Sequence, residues 1–469
     1  MNQITSKISG IVLLLIFFTI TTTSAQIGMR FPSEKKIVTD PATGTQLTFL
    51  TSSPKGDSKI YQTHNQWTAD GKWVIFRSNR VRGEAMAVNE ETGVIVQVSE
   101  GGFTGMLNVA RKSMKLYFMR DTTTRRRFAP PSGQQSAQTR PSVSGSRISN
   151  PIQVIEVDLA KLFTDSEAGK LKPASEYQII CGSTPAEMGA GGDMALDADE
   201  NIVYFRIGRD AAMKNLPEGT KIESNFGPRN MGAGPSGIGK MDLKTGKCSF
   251  VVAVPFQVGH IQANPWVPGE IVFCWETGGK APQRTWTVMA DGTGLRPLYP
   301  EAAYEWVTHE AIITKDEVAF AIMGHRKIGT PTQPADPANP GQEVGWGPSG
   351  TREHPTGLGI VNLRTREMII AGQTPSGSGL WHVNGSSDGR WAVGDDFSRG
   401  IYLIDRHTRE MILLSTGHKM TASDHPHPTF SADGTKIEIQ SAMLSEDNRS
   451  MNICIIPVPE SWLNRKYKQ

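Results

Sequence analysis

The tripeptide His425-Pro426-His427 is the tightest grouping of metal-capable side chains in the chain. On extended backbone, residues two apart point the same way, and the intervening proline stiffens the pair. Two parallel imidazoles suit a divalent transition metal, and His309 offers a third ligand. Of the 10 histidines only His64 precedes residue 259, so the chemistry concentrates in the later part of the chain. His260, which follows Val258-Gly259, is the candidate proton acceptor, because a neutral imidazole with an ordinary pKa of about 6.5 accepts a proton near neutrality. A lone histidine at a strand start is more often a hydrogen-bonded core residue than a functional one. His260, His309, His382 and the 425/427 pair, however, occupy corresponding places in four consecutive repeats, which favours a shared site. His64, His325, His354, His407 and His418 lack such company and are read as structural, His407 and His418 as exposed turn residues.

The elements that must position these residues are short strands. The chain has 469 residues with 48 Gly and 29 Pro and only 7% aromatic residues, a profile of strands and tight turns rather than helices. A turn followed by an apolar strand recurs at 68–76, 111–118, 197–205, 267–273, 314–320, 387–393 and 431–439. A second apolar strand, a charged turn and a third strand follow, as at 85–96, 238–246 and 401–405. The last repeat, 452–456, lacks an outer strand, and the segment 40–48 near the N-terminus has a turn-plus-strand pattern with no repeat of its own. The expected fold is all-β, a seven-bladed β-propeller closed by N- and C-terminal strands, which hides the last sheet edge. In such a ring the starts of the innermost strands converge on a central channel, so histidines distant in sequence meet there.

Residues 1–25 read as a signal peptide, with Lys7 before the apolar run 11–20 and small residues up to Ala25. The mature protein, 26–469, is expected to be one propeller domain, periplasmic or secreted. Loop insertions are expected at about 122–150, 209–235 and 327–355, the first carrying Arg125, Arg126, Arg127, Arg140 and Arg147. The 4 cysteines, Cys181, Cys248, Cys274 and Cys454, lie apart in apolar strand-like runs and read as buried free thiols. A net charge of +3 gives no case for nucleic acid or a membrane surface.

The chain resembles the oligogalacturonate lyases of polysaccharide lyase family twenty-two. The matching segments are 40–48, Gly259-His260, Phe273-Cys274-Trp275-Glu276, Arg284-Thr285-Trp286, Thr308-His309-Glu310, His382 with Asp388-Gly389, and His425-Pro426-His427-Pro428. The resemblance covers most of the mature chain and is dense from about Val258 onward. It implies a seven-bladed propeller that cleaves acidic galacturonate oligosaccharides by β-elimination with a bound divalent cation, a manganese-like ion in this family. It further implies that His309, His425 and His427 are metal ligands and His260 the Brønsted base. Two departures stand out. A family glutamine ligand is replaced by Ala422, with Asp424, Gln440 or water as its substitute. The family's catalytic arginine falls near Gly237, leaving Arg229 and Arg284 as candidates for that role.

Two other classes fit parts of the sequence. A non-catalytic scaffold propeller would share the Asp70-Gly71-Lys72 turn but has no need of inward histidines. A metal-dependent hydrolase would need a carboxylate base near the ion, such as Glu310 or Asp424. The tryptophans Trp266, Trp275, Trp286, Trp306 and Trp381 are expected chiefly to pack between blades rather than to stack on sugars.

Overall fold

A computed structural model describes residues 26–121, 150–225, 231–302, 305–323, 356–373 and 379–467. Seven antiparallel sheets form the blades of a ring. Their innermost strands are Asp57–Lys59, Thr104–Val109, Met194–Leu196, Val258–Ala263, Trp306–Thr314, Leu380–Gly385 and Thr429–Phe430. The recurrent turns have a common local cause. The hydroxyls of Thr68, Ser386 and Ser431 donate to Asp70, Asp388 and Asp433 at 2.6, 2.6 and 2.5 Å. The following Gly71, Gly389 and Gly434 take φ of 70°, 75° and 69°, a region that favours glycine.

The second strand of each blade is covered on both faces by neighbouring blades, which explains its nearly continuous apolar sequence. Phe76, Phe118, Phe205, Phe273 and Phe320 are fully buried there and pack against the preceding blade in the first five repeats. The next residue along each of these strands turns to the following blade, at the end nearest the histidines. Those residues are Arg77, Met119, Arg206, Cys274 and Ala321, and the corresponding ones in the last two blades are Asp395 and Gln440. Outer strands are half solvated, as at Gln178–Ser183, where Ile179 and Ile180 are exposed.

Both termini build the last blade. Gln46–Phe49 pairs with Asn452–Pro457, matching Thr48 to Ile455 and Phe49 to Cys454, and Lys36–Thr39 adds a fifth strand outside it. Asp40 anchors the turn between these strands by accepting from the N–H groups of Ala42, Thr43 and Thr416. The insertion expected at 209–235 begins with a short helix, Arg209–Met213, and gives way to the strand Ala233–Asp242. The other two expected insertions fall almost wholly outside the described residues. All 4 cysteines are free, but only Cys274 and Cys454 are buried; Cys181 and Cys248 are partly exposed because they sit on outer strands.

Phe49 is fully buried among Trp391, Ile439 and Cys454, residues of the sixth and seventh blades. Phe49→Ala is expected to destabilise the protein by about 3–5 kcal/mol, as for large-to-small core changes generally. Chemical denaturation checks this; an unchanged midpoint would show that the N-terminal strand is not what closes the ring.

Candidate functional site

His260, His309 and His382 lie within the innermost strands Val258–Ala263, Trp306–Thr314 and Leu380–Gly385, and His425 and His427 just precede Thr429–Phe430. In each of the three strands the pairing register shifts at the histidine: between Gly259 and Gln262, Thr308 and Ala311, and Leu380 and Val383. A bulge of this kind adds an unpaired residue and re-aims its side chain. His260, His309 and His427 have φ of 48°, 55° and 52°. Side chains with a β-carbon enter this left-handed region at a cost of about 1 kcal/mol or more, and such strain gathers where function holds it in place.

Tyr61, from the loop after the first blade's innermost strand, sits among these rings. Its ring centroid is 5.0 Å from those of both His260 and His427, and its hydroxyl is 2.6 Å from His309 Nδ1. The His382 ring lies 4.2 Å from His309, 3.7 Å from His427 and 5.2 Å from His425. Four consecutive blades therefore meet, joined by the first.

The polar partners of these imidazoles lie on one ring nitrogen. His425 Nδ1 donates to Asp395 Oδ2 at 3.0 Å, His382 Nδ1 to Asp395 Oδ1 at 3.2 Å, and His427 Nδ1 to Gln62 Oε1 at 2.8 Å. A neutral imidazole that donates through Nδ1 keeps a lone pair on Nε2. The Nε2 atoms of His309, His425 and His427 are buried and make no hydrogen bond. Asp424 Oδ2 is 3.1 Å from His427 Nε2 but off the line of a hydrogen bond. Buried unpaired acceptors are costly in a folded interior, and a cation is the natural partner for lone pairs of this kind. These three residues thus suit a divalent ion by their donor chemistry, His309 when its Nδ1–H donates to the Tyr61 hydroxyl, although the three together are not one of the groups whose ligand atoms already lie within 4.8 Å of one another. Burial, and then the neighbouring His382, holds His309 well below the usual imidazole pKa, so it stays neutral. Burial and His427 push His382 down to about 3. Burial alone would raise Asp395, but the His382 and His425 imidazoles hold it well below the carboxylate range.

A second cluster surrounds His260. Its Nδ1 donates to Glu310 Oε1 at 3.1 Å, and its Nε2 lies 3.4 Å from Glu276 Oε2. Arg284 Nε donates to Glu310 Oε2 at 3.0 Å, and its Nη2 reaches Glu276 Oε2 at 3.4 Å. Burial works to lower the His260 pKa, yet Glu310 and Glu276 outweigh it and the net shift is upward. Glu310 is held down to about 2: burial opposes this, and Arg284 and His260 overcome it. The result is a half-buried imidazole with its tautomer fixed by a carboxylate and Nε2 open to accept a proton.

Among the described residues two groups already have ligand atoms within 4.8 Å of one another: His382, Asp395 and His425, and separately His260, Cys274 and Glu310. In the first, Asp395 occupies Nδ1 of both imidazoles and so orients them. In the second, Arg284 and His260 already neutralise Glu310, and burial raises the Cys274 thiol well above its usual pKa, so it makes a poor cation site.

The structure thus gathers His260, Arg284, His309, His382, His425 and His427. Arg284 is buried and engaged with Glu310 and Glu276, so it positions the His260 cluster instead of facing open space. Arg229, His325 and His354 lie outside the described residues. Of the substitutes for the missing glutamine, Gln440 is occupied, donating to His425 O at 2.7 Å and accepting from Lys59 N–H at 3.1 Å, which leaves Asp424 or water. His418 is not an exposed turn residue. It is buried, with Ser415 and Ser441 hydroxyls 2.8 Å from its two ring nitrogens, because the loop folds inward over the last blade. Trp381 departs from simple blade packing, with its ring 4.5 Å from that of His309. Tyr61, Gln62 and Asp395 escaped the sequence reading; Asp395 shares its repeat register with Gln440 of the next blade, which becomes informative only once the blade faces are known.

No protein-family model matches the chain, and no curated protein does. Among solved structures, the chain is similar to an oligogalacturonate lyase in complex with manganese, at 18% identity and a TM-score of 0.66, covering 94% of this chain and 100% of that one. It is also similar to an oligogalacturonate lyase from Vibrio parahaemolyticus, at 16% identity and a TM-score of 0.64, covering 93% and 100%. At these identities the likeness establishes the seven-bladed propeller fold.

Proposed function

We propose that this protein is a lyase that cleaves uronate-containing, galacturonate-like oligosaccharides by metal-assisted β-elimination. The observation that carries the reading is the set of three buried, unpaired Nε2 atoms beside an imidazole whose tautomer a carboxylate fixes. The two solved neighbours, named as oligogalacturonate lyases and one of them a manganese complex, support it. With residues 1–25 read as an export signal, the reaction takes place in the periplasm or outside the cell.

His309, His425 and His427 would hold the cation, with manganese the first candidate and Asp424 the nearest further oxygen donor. When bound, the ion supplies Lewis acidity to the carboxylate next to the proton being removed. His260 Nε2 takes the proton from C5 of the uronate. Glu310 holds Nδ1–H, and Glu276 faces Nε2 so that the imidazolium is stabilised as it forms. Arg284 keeps both carboxylates in place. The bond from C4 to the leaving oxygen then breaks, a C4–C5 double bond forms, and the leaving oxygen takes a proton from solvent to become the free hydroxyl of the released sugar. The carboxylate of Asp424 beside His427 also suits a hydrolase, whose product would carry no such double bond.

Purified protein with oligogalacturonides and manganese is expected to give rising absorbance near about 235 nm from the unsaturated product, abolished by chelator. Silence across a panel of uronates with metal bound would overturn the lyase reading. His260→Ala is expected to lower turnover by about 10²-fold or more while retaining the metal. His425→Ala loses both, and Asp395→Asn weakens metal affinity by about 10–100-fold by calorimetry.

The pH profile offers a further check. The base must be neutral, so the rate rises as pH climbs through the His260 pKa, which the two glutamates shift upward. Removing one negative charge in Glu276→Gln lowers that pKa and moves the acidic limb of the profile to lower pH. A limb that stays in place or moves up would refute His260 as the titrating group.

A further inference from the structure

Three buried imidazoles have an unpaired Nε2 at the centre, but their partners at Nδ1 differ in kind. The Asp395 carboxylate and the Gln62 amide oxygen can only accept, so His425 and His427 donate to them from Nδ1. The partner of His309 is the Tyr61 hydroxyl, which can either donate or accept. Of the three, His309 is thus the one whose lone pair its neighbour does not fix.

Distance indicates which way this bond runs in the metal-free protein. Hydrogen bonds given by a hydroxyl are shorter, at about 2.7–2.8 Å, than those given by an N–H, at about 2.9–3.0 Å. The imidazoles that must donate stand 2.8, 3.0 and 3.2 Å from their acceptors on Gln62 and Asp395, whereas the Tyr61 hydroxyl is 2.6 Å from His309 Nδ1. A phenol is also a better donor than a neutral imidazole, and an imidazole nitrogen a better acceptor than a phenol oxygen. Tyr61 therefore gives its hydrogen to Nδ1, and the hydrogen of His309 sits on Nε2, where it has no partner.

An imidazole nitrogen that carries a hydrogen cannot ligate a cation. For His309 to join the set, its hydrogen must move from Nε2 to Nδ1, where it points at Tyr61. The phenol then has to accept, and its own hydrogen rotates away about the C–O bond. No proton is gained or lost: one hydrogen changes nitrogen and the other changes direction. His309 Nδ1 is the hydroxyl's one hydrogen-bond partner among the described residues. Gln62 lies beside the same hydroxyl, but its Nε2 is a donor without a partner and its Oε1 already accepts from His427. The half-buried Tyr61 ring lies 5.0 Å from the rings of both His260 and His427, between the base and the ligands, where a reacting sugar must sit.

We infer that Tyr61 is a positioning residue gated by the cation: entry of the ion at His309 reverses the Tyr61–His309 hydrogen bond and turns the Tyr61 O–H toward an oxygen of the sugar. The inference rests on the metal-assisted reading of the same centre and adds to it a coupling between cation and sugar. By reciprocity, bound sugar tightens the cation by the factor by which the cation tightens the sugar.

Nitrogen-15 NMR of the protein labelled at histidine reads the tautomer directly, with His309→Ala assigning the signal and diamagnetic zinc as the probe ion. His309 is expected as the Nε2–H tautomer without metal and as Nδ1–H with zinc. Nδ1–H in the metal-free protein, or an unchanged His309 with zinc held by His425 and His427, would overturn the reversal whether or not the protein performs the elimination. Calorimetry of trigalacturonate binding to the His260→Ala protein tests the released hydroxyl. Adding Tyr61→Phe is expected to weaken binding by about threefold to tenfold with manganese present, the worth of one hydrogen bond, and not at all without it. No loss, or equal loss with and without manganese, would overturn the gate. So would a protein that takes up neither ion. Reversal and a manganese-dependent loss in a protein that shows no elimination would uphold the gate and count against the reaction alone.

Discussion

One buried carboxylate joins the histidines of the sixth and seventh blades. Asp395 is fully buried, and its oxygens accept from Nδ1 of His382 in its own blade and of His425 in the next. It also accepts from the His382 backbone N–H at 2.6 Å. An acid so deep in the protein is tolerable only with such donors, and in return it fixes which nitrogen of each imidazole keeps a lone pair. Gln62 imposes the same orientation on His427 from the first blade. The inward-facing lone pairs thus depend on contacts that cross blade junctions, and those junctions exist only because the ring is closed by its N-terminal strand.

The bulges explain how regular repeats yield an irregular centre. A perfectly paired innermost strand would alternate its side chains between the two blade faces and leave few of them pointing into the channel. Shifted registers at His260, His309 and His382, with left-handed backbone at the first two, turn those side chains inward. The apolar layers around Phe273 and Phe320 and the cluster containing Trp381 supply the packing that holds this strain.

Much of this was legible in the chain. The turns and the apolar strands after them recur often enough to count blades, three of the turns as Ser/Thr-x-Asp-Gly, and the orphan segment before Phe49 fits the incomplete last repeat. The histidines stood out because their spacing follows the repeat. What stayed hidden depends on the third dimension. Tyr61 and Gln62 lie in a loop without a motif, and become central only because the first blade abuts the seventh. Asp395 looks like an ordinary strand residue until the blade face it occupies is known. His418 reads as a turn residue because the folding of its loop over the last blade leaves no periodic trace. Arg284 invited a substrate-facing reading; of its two glutamate partners Glu276 belongs to its own blade, but Glu310 becomes evident only when the neighbouring blade is in place.

The central claim is that the Nε2 atoms of His309, His425 and His427 converge on a divalent cation. Anomalous diffraction at the manganese edge from crystals of the manganese-loaded protein tests it most directly. The account predicts a single strong peak bounded by those three nitrogens, at ligand distances of about 2.0–2.3 Å. A peak at the His260, Cys274 and Glu310 cluster instead, or none among the histidines, would contradict it.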